Sequence, residues 1–144
     1  MMRAGQRFFT GLHTRIYRAS HGRIGSHLGP VENVLLTTTG RRTGRTRTTP
    51  LGCLPDGDRL VLVASNGGAT HHPDWYLNLR ADPHVTVQRG AQVRPMLART
   101  ATPEERDVLW PRVVQRYAGY ARYQAHAPRE IPLVICEEEP RPPG

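Results

Sequence analysis

The chain has 144 residues, with 20 basic and 12 acidic side chains, a formal charge of +8 and a pI near 10.7. That size suits one domain, able to bury about two thirds of its unfolded surface. No apolar run is long enough to span a membrane, and no apolar segment with a small-residue cleavage site marks the chain for secretion.

Every cation is an arginine, since the chain has no lysine. Residues 1–47 hold nine arginines and one acid, Glu32, whereas residues 48–144 hold eleven of each. The whole excess therefore lies in the first third. Such a charge admits an anionic small molecule, a nucleic acid or an acidic membrane as partner. Nucleic acid is disfavoured, because a single-strand binder interleaves aromatics with its basic stripe and this chain does not. Cys53 and Cys136 have neither metal-ligand nor redox spacing and read as two buried thiols of a cytoplasmic protein.

Residues 1–30 form a basic N-terminal extension. On a helical wheel Phe8, Phe9, Leu12, Ile16 and Ala19 share one side, with Arg3, Arg7, Arg15 and Arg18 opposite. That is the layout of an interfacial helix, and it predicts weak, salt-dependent, peripheral attachment to the inner face of the cell membrane. Packing of the same apolar face on the domain or on a second subunit, as in a homodimer, fits equally well.

Three strands are predicted next, over residues 31–38, 46–54 and 59–65. Pro55-Asp56-Gly57-Asp58 supplies the turn between the last two. Between the first two lies Thr37-Thr38-Thr39-Gly40-Arg41-Arg42-Thr43-Gly44-Arg45-Thr46-Arg47. Guanidinium forks bind phosphate or carboxylate bidentately, and amides of a glycine-rich turn form an anion nest. This reads as a cradle for a polyanionic small molecule; an exposed basic hairpin without a ligand is the alternative. It is not a Walker loop, lacking Gly-x-x-x-x-Gly-Lys.

Ser65-Asn66-Gly67-Gly68 leaves the third strand as a ligand-contacting turn, and a short helix follows over Asp74–Ala81 with Trp75 and Leu79 inward. Core packing is the stronger reading for Trp75. Ser65 is not the nucleophile of a Gly-x-Ser-x-Gly elbow, and adjacent His71 and His72 lack a third metal ligand, so no metal is expected. Residues 85–87 and Gln92–Thr100 are a fourth and fifth strand about Arg89-Gly90. Thr102-Pro103-Glu104-Glu105 starts a helix with a capping box, and Pro111 predicts a kink or break near Trp110. Tyr117, Tyr120 and Tyr123 share one broad helical face. They either wall a pocket over a planar ligand or pack on the sheet. Ile131–Cys136 is a last strand, with Arg129 nearby if it closes a barrel. Residues 138–144 read as a disordered tail. The fold class is mainly β (α+β): a small barrel of about six mostly antiparallel strands with flanking helices.

Val34-Leu35-Leu36-Thr37-Thr38-Thr39-Gly40-Arg41-Arg42-Thr43-Gly44, with Arg47 and Pro50, resembles the deazaflavin-dependent nitroreductase family. So do Ala64-Ser65-Asn66-Gly67-Gly68, His72-Pro73-Asp74-Trp75-Tyr76-Leu77-Asn78-Leu79 and the Tyr117/Tyr120/Tyr123-Gln124 segment. The likeness spans about residues 31–137. It implies a split β-barrel like that of flavin reductases and pyridoxamine phosphate oxidases. It also implies coenzyme F-420, an 8-hydroxy-5-deazaflavin with a phosphodiester-linked oligoglutamate tail, in preference to FMN. Carried over, Thr39, Arg41, Arg42, Arg47 and Pro50 with the Gly40 and Gly44 backbone would hold the phosphate and tail. Ser65, Asn66, Gly67 and Gly68 would lie along the deazaflavin, and Trp75 and Tyr76 would support the far wall. Tyr117, Tyr120 and Tyr123 would border the substrate face. Arg42 stands where the family often has lysine, and Gly52-Cys53 where nitroimidazole-reducing relatives carry an aromatic residue. The implied reaction is hydride transfer from reduced F-420 to a quinone, nitroaromatic or activated enone. Tyr120 or Tyr123 would give the proton, and Ser65 would donate to the developing anion. A non-catalytic binder of F-420 or of another planar anion is the alternative.

Overall fold

A computed structural model describes residues 32–140. The interfacial helix expected over residues 1–24, and residues 141–144 of the tail, lie outside the described residues. Six strands close an antiparallel barrel in the order β1-β2-β3-β6-β5-β4, with β1 returning to β4. They are β1 (Glu32–Thr39), β2 (Thr46–Asp56), β3 (Arg59–Val63), β4 (His84–Arg89), β5 (Gln92–Thr100) and β6 (Leu133–Glu138). Three helices complete the described chain: α1 (Asp74–Ala81), α2 (Pro103–Arg116) and α3 (Gly119–His126). The expected strands and helices recur with ends shifted by up to two residues, and β6 runs through Glu138, past the boundary drawn before the tail.

Closure follows from the two long strands. β2 pairs with β1 over Thr46–Cys53 and with β3 over Cys53–Asp56. β5 pairs with β4 over Gln92–Leu97 and with β6 over Met96–Thr100. Such offset pairing is the stagger a six-membered sheet needs in order to meet its own edge. Each of the six strands therefore pairs with two neighbours.

Period-two alternation sorts the apolar side chains into two cores. Val34, Leu36, Leu60, Leu62, Val85, Val87, Met96, Ala98, Val134 and both cysteines fill the barrel, and Trp75, Tyr76 and Leu79 of α1 plug it. Leu54, Val61, Val63, Leu133 and Ile135 point outward and are covered by Leu109 and Val113 of α2. Burial pushes the thiols of Cys53 and Cys136 up to about 12, so neither is a nucleophile.

The α2 N-terminus is the expected capping box: the Glu105 amide donates to Thr102 Oγ1 at 3.2 Å, and the Thr102 amide donates to Glu105 Oε1 at 2.9 Å. Of the kink or break expected near Trp110, the break does not occur. α2 runs unbroken through Pro111 to Arg116. Pro111 removes the bond to the Asp107 carbonyl, and both residues are exposed, where water can take the orphaned oxygen. Tyr117 then ends α2 in an extended conformation. Thr102→Ala removes one cap bond and should cost about 1 kcal/mol, a fall of roughly 3 to 6 °C in a calorimetric Tm.

Candidate functional site

The arginine turn is tied to α1 by a buried side chain. Asn78 Oδ1 accepts the Arg41 backbone N–H at 3.2 Å and Arg41 Nη1 at 2.8 Å, while its Nδ2 donates to Thr38 Oγ1 at 3.3 Å. Arg41 Nη2 reaches Asp74 Oδ1 at 3.4 Å. Asn78 is only 4% exposed, so leaving its amide unpaired would be costly. The turn closes on itself: the Gly40 amide donates to the Arg45 carbonyl at 2.7 Å, the Gly44 amide to the Gly40 carbonyl at 2.8 Å, and the Arg45 amide to Thr43 Oγ1 at 3.2 Å.

Those bonds engage the amides of Gly40, Arg41, Gly44 and Arg45, and the Arg41 guanidinium is held by α1. Arg42, Arg45 and Arg47 are all exposed and without an ion pair among the described residues. Sequence reasoning passed over Asn78 as the anchor of the turn, a role that the period-two pattern of the hairpin does not carry. Thr39 ends β1 opposite Thr46, and Pro50 sits in β2 opposite Leu35, both partly buried.

After β3 the chain makes a 3-10 turn over Asn66–Gly68, closed by the Gly68 amide on the Ser65 carbonyl at 2.9 Å. Asn66 Nδ2 donates to the His71 carbonyl at 3.2 Å. Gly68, at φ +82°, lies flush on α3: a Cβ there would stand 3.0 Å from the Tyr123 carbonyl oxygen. Ser65 is buried, and its hydroxyl makes no hydrogen bond with any described residue. Trp75 and Tyr76 belong to the core, at 8% and 4% exposure. The Tyr76 hydroxyl is also engaged, 2.8 Å from Thr100 Oγ1.

The three tyrosines meet, although not on one helix. Tyr117 lies at the α2–α3 junction and only Tyr120 and Tyr123 are on α3, which corrects the single helical face. Ring centroids are 5.1 Å (Tyr117–Tyr120), 6.1 Å (Tyr120–Tyr123) and 6.5 Å (Tyr117–Tyr123), tilted or edge-on. A Cβ on Gly119 would stand 2.3 Å from the Tyr117 ring, so glycine permits the cluster. Tyr120 and Tyr123 also pack partly on the outer core. Burial, with the neighbouring phenols, pushes Tyr120 up to about 12. A hydrogen bond with Tyr117, then burial, raises Tyr123. Both hydroxyls stay protonated near neutral pH, as hydrogen-bond donors rather than ready acids.

His72 is half-buried beside the Tyr76 ring, with centroids 4.9 Å apart, and its Nδ1 lies 2.9 Å from Arg129 Nη1. A guanidinium can only donate, so Nδ1 is the acceptor and the ring proton sits on Nε2. No cluster of three metal-ligating side chains exists among the described residues, and none of their helices is long and apolar enough to cross a membrane.

A family model described as "F420H(2)-dependent quinone reductase" matches residues 10–138. The chain belongs to the F420H(2)-dependent quinone reductase family. An F420H(2)-dependent quinone reductase of Mycobacterium tuberculosis is 40% identical over 128 residues, covering 86% of each chain. A solved F420-H2 dependent reductase is 42% identical, with TM-score 0.68, over 73% of this chain and 93% of its own. Another solved structure, described as a domain-swapped dimer, is 36% identical, with TM-score 0.70, over 88% of this chain and 96% of its own. The motifs that resemble nitroreductases thus belong to a related quinone reductase family. Its match opens at residue 10, inside the stretch set apart from sequence as an extension. Membership makes coenzyme F-420 the cofactor and the chain an F-420-dependent reductase. Three exposed guanidinium groups on one turn, without an ion pair among the described residues, suit a phosphodiester and carboxylate tail.

His72 supplies a pH test. Burial first, then the Arg129 and Arg80 charges, lower its pKa. The folded state therefore resists the proton that the unfolded chain takes up near pH 6.5, and stability falls as pH drops through and below that value. The Tm should decline between pH 7.5 and 5, and His72→Gln, which keeps an acceptor but cannot titrate, should flatten that part of the decline.

Proposed function

We propose that the chain transfers a hydride from reduced F-420 to a planar acceptor, with a quinone foremost and nitroaromatics and activated enones as further substrates. The observation that carries this reading is the exposed trio Arg42, Arg45 and Arg47, without an ion pair among the described residues, on a turn fixed to α1 by Asn78. These three bind the phosphodiester and glutamate tail, while Arg41 shapes the turn. When bound, reduced F-420 supplies a two-electron hydride from C5 of its ring. The turn at Ser65–Gly68 lies along the ring system, and the free Ser65 hydroxyl donates to negative charge that develops there. Tyr117, Tyr120 and Tyr123 wall the acceptor side and hold a flat molecule in stacking distance, where alignment contributes several kcal/mol. The protonated hydroxyls of Tyr120 and Tyr123 hydrogen-bond to the acceptor oxygen, and the proton that follows the hydride comes from solvent.

The decisive assay adds menadione to protein and reduced F-420 and follows absorbance of the oxidised cofactor, with FMN and NADPH as controls. Absence of turnover with tight binding would leave a carrier. Charge-assisted contacts are worth about 1.5 to 3 kcal/mol. Arg42→Ala or Arg47→Ala should therefore raise the F-420 Kd about tenfold by fluorescence quenching, less at high salt. Tyr120→Phe should lower kcat about tenfold and leave that Kd within about twofold. Unchanged Kd in both arginine variants removes the cradle.

The interfacial helix over residues 1–24 and a homodimer are carried as proposals on the sequence pattern and on the relative described as a domain-swapped dimer. Co-sedimentation with anionic liposomes at low salt, lost on truncation before residue 25, tests the first. Light scattering of the full chain tests the second.

A further inference from the structure

Arg129 stands out because its guanidinium serves no carboxylate among the described residues. Nε donates to the Ala69 carbonyl at 3.1 Å, and Nη2 to the Ser65 carbonyl at 2.9 Å. Nη1 donates to the Ala64 carbonyl at 3.3 Å and to His72 Nδ1 at 2.9 Å. Four of its five N–H groups thus hold one loop, 57 to 65 residues away in the chain. The Ser65 carbonyl also accepts the Gly68 amide, so the contact bears directly on the glycine turn.

The backbone of Arg129 is itself anchored to the tyrosine helix. Gln124 Nε2 donates to the Arg129 carbonyl at 2.8 Å, and Gln124 Oε1 accepts the Ile131 amide at 2.8 Å. Arg106, stacked 4.4 Å from the Trp110 ring, adds bonds to Gln124 Oε1 at 3.2 Å and to the Ile131 carbonyl at 3.1 Å. On the opposite side of the turn Gly68 abuts the Tyr123 backbone. One polar path therefore joins the helix bearing Tyr120 and Tyr123 to the turn bearing Ser65.

We propose that Arg129 is a positioning residue that locks the Ser65–His72 loop to α3, so that the wall along the cofactor and the tyrosine wall facing the acceptor keep one relative placement. The proposal rests on the assignment of those two walls made above. A lysine cannot reproduce it, because an ammonium is a point donor and the four acceptors call for a planar fork. Arg129 also lines an open depression of about 590 Å³, shared with Arg106, Gln124, Ala127, Pro128 and Glu130. A small cation from solvent can therefore enter the space that truncation would leave.

The test compares the full-length wild type with Arg129→Ala by hydrogen exchange without cofactor, by F-420 affinity, and by rescue with millimolar guanidinium against equal ammonium. Exchange at the Gly68 and Ala69 amides should rise about tenfold while the β4 amides stay unchanged. The F-420 Kd should rise at least about fivefold, and guanidinium but not ammonium should reverse both changes. Arg129→Lys should show the same loop exchange in milder form, and it carries the test if the alanine variant does not fold. Unchanged loop exchange, or a rise spread evenly over the barrel, overturns the proposal, as does equal rescue by both cations. If the wild type binds no F-420, the functional reading fails, while loop exchange and guanidinium rescue still judge Arg129.

Discussion

β3 and β6 are buried on both faces, and that constraint organises the molecule. Their inward side chains, Leu60, Leu62, Val134 and Cys136, fill the barrel, while Val61, Val63, Leu133 and Ile135 face out. An exposed row of four such residues would forfeit about 1.5 to 3 kcal/mol per side chain, so a cover is obligatory. α2 supplies it through Leu109 and Val113, and α3 follows at once. Covering the outer face is therefore what brings the tyrosines beside the turn that leaves β3. The tight seat of Gly68 on the Tyr123 backbone is the consequence.

A second organising contact is polar. Asn78 spends three hydrogen bonds on joining β1, the arginine turn and α1, in a place where water cannot substitute. Its helix also plugs the barrel through Trp75, Tyr76 and Leu79. The same eight-residue helix thus closes one core and sets the direction of the turn. A displacement of α1 would be felt in both.

Charge is distributed by the same economy. Arg59, Arg89, Arg94, Arg99, Arg106 and Arg112 each pair with a carboxylate, and Arg80 lies over the Tyr76 ring at 5.6 Å. Arg99 is doubly matched, by Glu105 and Glu137. On the arginine turn the acids run out, and Arg42, Arg45 and Arg47 are left facing solvent. Exposed pairs add little stability, so the contrast bears little on folding. Three exposed arginines without an ion pair among the described residues concentrate positive potential at one end of a hairpin.

The sequence by itself determined the strands, because alternation, turn residues and the Thr102 capping box are local signals that the tertiary structure does not override. It also pointed to a related deazaflavin-dependent family, through several motifs in one order, and with it to the cofactor. The tertiary structure decided which arginines are free: Arg41 and Arg42 are neighbours in sequence, and only the packing of α1 commits the first to Asn78 and Asp74. It decided that Pro111 sits inside a continuous helix, since the solvent exposure of Asp107 is not a property of the local pattern. It alone placed Arg129 against the loop after β3, a contact across more than fifty residues that exists because β6 pairs with β3 and closes the barrel.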